Sequence, residues 1–152
     1  MSLNEGDQAP DFKMAASGGR EVSLAALRGK PFVLYFYPKA DTPGCTKEAC
    51  GFQEALGGGA ITVIGVSRDP MKAIEKFAEK YRLAFPLASD ESGKVSEAYG
   101  TWVEKSMYGR KYLGMERATF LIDGAGRVAR VWRNVKVPGH VAQVMAAVRE
   151  LG

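Results

Sequence analysis

Two short apolar runs constrain this chain more than anything else in it. "FVLYFY" (Phe32–Tyr37) and "AITVIGV" (Ala60–Val66) are strand-length, rich in aromatic and β-branched residues, and each is followed by a helical pattern. In "TPGCTKEACGFQEAL", Cys45, Ala49, Phe52 and Leu56 share one helix face, and Gly57–Gly59 should stop the helix. "DPMKAIEKFAEKYRL" opens with Asp69 as a cap and Pro70 at the first helical position; Ile74, Phe77, Ala78 and Tyr81 form its apolar face. Strand–helix–strand–helix with a right-handed crossover makes the two strands parallel neighbours.

Further along, "SDESGKVSEAYG" reads as a short helix between loops, and "RATFLIDGAGRVARVW" as a hairpin turning at "DGAG". The chain closes with an amphipathic helix whose Val141, Val144, Met145, Val148 and Leu151 should face inward. His140 stands at its start and reads as a polar first-turn residue. The elements imply an α/β sandwich, a mixed central β-sheet flanked by helices, in a thioredoxin-like pattern. A chain of 152 residues is expected to form one domain, 1–152. Pro38–Cys45 then falls at the carboxyl end of a parallel strand, where chemistry collects in open α/β sheets.

Composition removes several function classes. The apolar runs are far too short to cross a bilayer, and "MSLNEGDQAP" has neither the basic nor the apolar region of a secretory signal. The expectation is a cytoplasmic protein without a membrane partner. A net charge of +4 on scattered basic residues, with no basic stripe interleaved with aromatics, argues against nucleic acid. Two Cys and one His fall short of the four ligands of a structural zinc site.

Both cysteines lie in "TPGCTKEAC", five positions apart. With Thr42 as cap and Pro43 at the first helical position, Cys45 is the third helical residue; with Thr46 as cap it lies just outside. Either way its sulfur is near unpaired N–H groups at the positive end of a helix, a setting that favours thiolate. An inert Cys packed on the apolar stripe is the competing interpretation. Five helical residues give ~7.5 Å of rise and ~140° of rotation, hence a Cα separation of ~8–9 Å. A disulfide needs less than about 7 Å, so the pair can bond only if the helix opens. Gly51 should ease that opening.

"PKADTPGCTKEAC" resembles the peroxiredoxin active-site segment, Pro-x-x-x-Thr/Ser-x-x-Cys, with Pro38, Thr42 and Cys45 in register. The second Cys and the following "GFQE" are similar to the bacterioferritin comigratory protein, or peroxiredoxin Q, subgroup. The likeness extends through "GDQAPDF", "VIGVSRDP", "WVEKSMYGRKYLGMERATFLIDGAGRV" and "VKVPGHV", nearly the whole chain. It implies a peroxidase acting on hydrogen peroxide and alkyl or lipid hydroperoxides. Cys45 would be the attacking thiolate, Thr42 would hydrogen-bond the sulfur and the peroxide, and Pro38 would shield the site from water. Arg117 would stabilise the thiolate and the leaving oxygen, and the N–H groups of Gly44 and Cys45 would be further donors. Cys50 would resolve the sulfenic acid as a Cys45–Cys50 disulfide, with thioredoxin as reductant and no metal, haem, flavin or other cofactor. An intramolecular resolving thiol removes one need for a dimer, so a monomer is expected, though a dimer is not forbidden. Glu48 also lies on the motif and reads as an acid favoured by the helix start. Trp102, Tyr108 and Tyr112 are candidates to line the entrance, or else to pack under a loop.

Two alternatives stay open. One is a one-cysteine peroxidase served by glutathione or glutaredoxin, with Cys50 structural. The other is a redox sensor or holdase whose opened helix exposes apolar surface.

Overall fold

The computed structural model describes residues 3–56 and 61–151; the Gly57–Gly59 stop and Ala60 lie outside them. The chain begins with strands β1 (Lys13–Ala16) and β2 (Arg20–Ser23), followed by the single-turn helix α1 (Leu24–Leu27). Then come β3 (Phe32–Phe36), α2 (Pro43–Leu56), β4 (Thr62–Ser67), α3 (Met71–Lys80), β5 (Leu87–Ser89) and α4 (Lys94–Ala98). The hairpin β6 (Trp102–Met107) and β7 (Arg110–Met115) precedes a second one, β8 (Ala118–Ile122) and β9 (Val128–Trp132), and α5 (His140–Leu151) ends the fold.

Among the described residues, seven strands form one mixed sheet in the order β2-β1-β5-β4-β3-β8-β9, while β6 and β7 pair only with each other. β3, β4 and β5 run parallel, as the apolar runs require, and β8 returns antiparallel beside β3. Leu34 lies opposite Ile64 on one side and Phe120 on the other, so β3 is central. Its side chains alternate between two cores, as a strand covered on both faces must. Phe32, Leu34 and Phe36 join Phe12, Ile64, Tyr99 and Phe120. Val33, Tyr35 and Tyr37 join Cys45, Ala49 and Phe52 of α2, Ile74 and Phe77 of α3, and Val144 of α5. The expected α2 stripe is buried at Cys45, Ala49 and Phe52; Leu56 is not among the described side chains. Among the described residues no helix is long and apolar enough to cross a membrane.

Three local expectations change. Helix α3 starts at Met71, one residue late, with Pro70 extended at the cap position (φ −66°, ψ 155°). Asp69 does not cap it. Its carboxylate is drawn to two other donors, the Ala40 N–H at 2.7 Å and the Ser67 hydroxyl at 2.9 Å. In α5 the buried residues are His140, Val144 and Ala147, whereas Leu151, at the helix end, is 39% exposed rather than inward. The β1–β2 and β6–β7 hairpins and β5 complete the architecture beyond the elements read above.

Gly65 in β4 shows how tightly the second core is filled. A Cβ there would lie 2.8 Å from Leu87 Cδ2 and 2.8 Å from the Tyr35 ring and hydroxyl. Gly65→Ala is therefore expected to cost about 1–3 kcal/mol of stability through overpacking. Urea unfolding measures it; an unchanged midpoint would contradict the packing described.

Candidate active site

The reactive end of α2 is set by local chain chemistry. Pro43 begins the helix and Thr46 donates its N–H to the Thr42 carbonyl at 2.8 Å, so Thr42, not Thr46, holds the cap position. The N–H groups of Gly44 and Cys45, in the first turn, have no carbonyl one turn back to bond. The Thr42 hydroxyl does not cap; it donates to the Lys39 carbonyl at 2.8 Å. The loop before the helix is pinned at both ends. Ala40 is held by Asp69, and Asp41, in a left-handed conformation (φ 62°), accepts from Lys80 Nζ at 2.9 Å and the Tyr81 hydroxyl at 2.8 Å.

Arg117, at the start of β8, reaches across to this helix. Its Nη2 donates to Cys45 Sγ at 3.3 Å and its Nη1 to Glu48 Oε1 at 2.7 Å. One planar fork thus spans a thiol and a carboxylate three residues apart on α2. Gly44 makes the approach possible: a Cβ there would sit 3.3 Å from Arg117 Nη2. The Arg117 carbonyl accepts from Val135 N–H at 2.9 Å, which fixes its backbone. Cys45 is buried, and Cys50, half-buried, lies further along the same unbroken helix; both thiols are free.

Glu48 is more than a helix-start acid. It is fully buried, and desolvation lifts its pKa from 4.5 to about 7, against the downward pull of Arg117. Burial also lowers the pKa of Arg117, but Glu48 and Cys45 outweigh it and leave the guanidinium above its ordinary value. Glu48 Oε2 and the hydroxyls of Tyr35 and Tyr37 are buried without a protein partner. His140 stands in the first turn of α5, as expected, and is buried there. Its Nε2 is 2.7 Å from the Thr119 hydroxyl, and its ring meets Phe52 and Trp132 edge to face. Desolvation, aided by Arg117, lowers its pKa from 6.5 to about 4, so it is neutral.

Gly51 has a packing role that its sequence position did not reveal. A Cβ there would lie 3.1 Å from Val141 Cγ2, so glycine lets α2 approach α5. Pro38 is exposed and borders a surface depression with Arg117, Val103, Glu104, Lys105, Glu116 and Asn134. Of the three aromatic candidates for the entrance, Trp102 is stacked under the Arg68 guanidinium at 4.0 Å, and Tyr108 and Tyr112 are exposed on the β6–β7 hairpin. Among the described residues no group of three His, Cys, Asp or Glu is placed to hold a metal ion.

Comparison with known proteins agrees with this arrangement. Residues 5–131 match the AhpC/TSA family. The chain is 49% identical over 148 residues to the putative peroxiredoxin bcp of Coxiella burnetii, covering 95% of this chain and 98% of that protein. It is 42% identical over 154 residues to peroxiredoxin Bcp of Bacillus subtilis, covering 99% and 98%. The bacterioferritin comigratory protein of Xanthomonas campestris superposes with a TM-score of 0.87 at 38% identity, covering 97% of this chain and 98% of that one. The chain belongs to the AhpC/TSA family, as a peroxiredoxin of the Bcp or peroxiredoxin Q group. Such an enzyme is a thiol peroxidase: it reduces peroxides and draws its electrons from a thiol reductant.

Glu48 and His140 make opposite contributions to the pH dependence of stability. The pKa of Glu48 is raised on folding, so its contribution is present below about pH 4.5 and is lost as pH rises through about 7. The pKa of His140 is lowered, so its contribution grows as pH rises from about 4 to 6.5. Between about 4.5 and 6.5 the unfolded chain keeps the proton on His140 and the folded chain on Glu48, and the two slopes cancel. Glu48→Gln should leave stability rising by about 1.4 kcal/mol per pH unit in this window, and His140→Gln should leave it falling by about as much. Urea unfolding across the window tests this; profiles as flat as wild type in both variants would refute it.

Proposed function

We propose that the chain is a two-cysteine peroxidase in which Cys45 attacks the peroxide and Cys50 resolves it. The observation that carries the reading is the Arg117 fork, which donates to Cys45 Sγ at 3.3 Å while anchored on buried Glu48. A guanidinium donor binds a thiolate more tightly than a thiol, and the thiolate is the nucleophile. It attacks the terminal peroxide oxygen, forming an S–O bond as the O–O bond breaks. The sulfur is oxidised by two electrons to sulfenic acid, and the leaving oxygen takes up a proton to depart as water or an alcohol. Arg117 and the free N–H groups of Gly44 and Cys45 converge where negative charge grows on the oxygens. The Thr42 hydroxyl, its proton given to Lys39, has an oxygen free to accept from the peroxide O–H. Pro38, beside Arg117 at the mouth, limits water.

Cys50 then attacks the sulfenic sulfur, the S–S bond forms, the S–O bond breaks, and hydroxide leaves to be protonated as water. The two thiols sit in one continuous helix, so this step needs α2 to open between them. A dithiol protein of the thioredoxin type reduces the disulfide by exchange and is itself oxidised. The substrates are hydrogen peroxide and organic hydroperoxides; the Xanthomonas campestris relative is described for alkyl peroxide reduction. The enzyme works as a cytoplasmic, single-domain monomer.

Cys45→Ser is expected to abolish turnover in a thioredoxin-coupled peroxide assay. Cys50→Ser should consume one equivalent of peroxide and stop, and mass spectrometry should find an added oxygen on Cys45. Wild type treated with one equivalent should instead lose two hydrogens. Full activity in Cys45→Ser would end the proposal, and added oxygen without a disulfide in wild type would transfer it to a one-cysteine cycle.

A further inference from the structure

The β6–β7 hairpin is the part of the fold that the peroxidase cycle leaves unexplained. It stands outside the seven-stranded sheet, and its strands have only each other as partners. Its two-residue turn, Tyr108–Gly109, has both residues at positive φ, 51° and 77°. Such turns favour Asn or Asp followed by glycine, because a bulky side chain is strained in the left-handed region. Here the strained position carries a tyrosine that is 97% exposed. Met107, beside the turn, is 55% exposed, and Leu113, lower on β7 opposite Glu104, is 62% exposed, so neither is there for the core. Strain and exposed apolar surface in one tip are both unfavourable unless something binds there.

The charges identify the kind of surface. Arg110 and Lys111 flank the tip and are exposed, and Lys105 lies lower on β6, with Glu104 as the hairpin's one acid. Glu104 is 3.8 Å from Lys111, both exposed, too loose a pair to neutralise the tip. An aromatic and a methionine at the apex with cations just behind match a lipid headgroup layer, where apolar side chains enter the interface and Lys or Arg meet anionic phosphates. The sequence reading excluded a membrane partner for want of a span, but a tip that rests in the headgroups needs none.

We propose that the β6–β7 hairpin docks tip-first on anionic membrane surfaces. The base of the same hairpin, at Val103, Glu104 and Lys105, borders the depression beside Pro38 and Arg117. Three to five strand residues at ~3.3 Å each separate these positions from Tyr108, so a docked tip holds the mouth of the site within roughly 10–17 Å of the surface. Resting on the peroxidase reading above, this makes hydroperoxides of membrane lipids a substrate class delivered to the site by location.

The full chain is sedimented with phosphatidylcholine vesicles and with phosphatidylcholine–phosphatidylglycerol vesicles. Binding should be at least about tenfold tighter to the anionic vesicles and should weaken as salt rises. Tyr108→Ser, Met107→Ser and the double variant Arg110→Glu/Lys111→Glu should each lose most of that binding. All three should reduce hydrogen peroxide in solution at the wild-type rate, because none of these residues lies at the site. Their turnover of phospholipid hydroperoxide in anionic vesicles should fall several-fold. Equal affinity for both vesicle types, no binding at all, or binding indifferent to the variants would each overturn the proposal. The vesicle measurement needs no catalysis, so its failure is distinguishable from failure of the peroxidase reading, which the solution assay tests alone.

Discussion

The active end of the molecule depends on one guanidinium. Arg117 is the shared partner of Cys45 and Glu48. Glu48 is fully buried, and a carboxylate without a counter-ion in such a place gives up its charge. The pKa of about 7 records the contest: burial pushes it up and Arg117 holds it down. An arginine suits this place better than a lysine would. Its two terminal nitrogens hold two acceptors at once, so the orientation toward sulfur is fixed by the carboxylate behind it.

Much of the surrounding scaffold serves to keep α2 in reach of that fork. β3 and β8 lie side by side, so the end of one and the start of the other bring the Pro38 loop and Arg117 together. Gly44 leaves room for the guanidinium on one side of α2, and Gly51 leaves room for Val141 on another. Asp69, after β4, holds the connecting loop at Ala40, and Lys80 and Tyr81, at the end of α3, hold it at Asp41. The same helix is thus made precise at its reactive end and closely packed further along.

What was legible in the sequence follows the range of the interactions. The two parallel strands, the start of α2 and the β8–β9 hairpin are local: apolar runs, a proline at the first helical position, a glycine-rich turn. Arg117 is not local. It sits 72 positions from Cys45 and 69 from Glu48, and nothing nearby distinguishes it from the other cations; the family resemblance alone singled it out. His140 was legible as a first-turn residue, but its burial was not, because its partner Thr119 lies 21 residues away. The β6–β7 hairpin was missed for a different reason. Much of it is exposed and lacks the apolar alternation that marks a half-buried strand. Asp69 was misassigned because capping signals presume that a side chain serves the next helix, while here two donors from neighbouring residues compete for it.

Helix α2 is asked for two incompatible things, and its packing is consistent with a compromise. On the proposed cycle, attack by Cys45 would use the intact first turn, where its sulfur meets Arg117. On the same proposal, resolution by Cys50 would need that helix to open, and Glu48, between the two thiols, would then leave its buried pair. The cost of keeping Glu48 inside is then returned on opening, as the carboxylate regains water and its ordinary pKa. A fully stable helix, with an apolar residue in place of Glu48, would hold its closed form too well and leave Arg117 without an anchor. On the proposed cycle the buried acid would tie the two demands together: it orients the arginine while the helix is closed and would favour release once the helix opened.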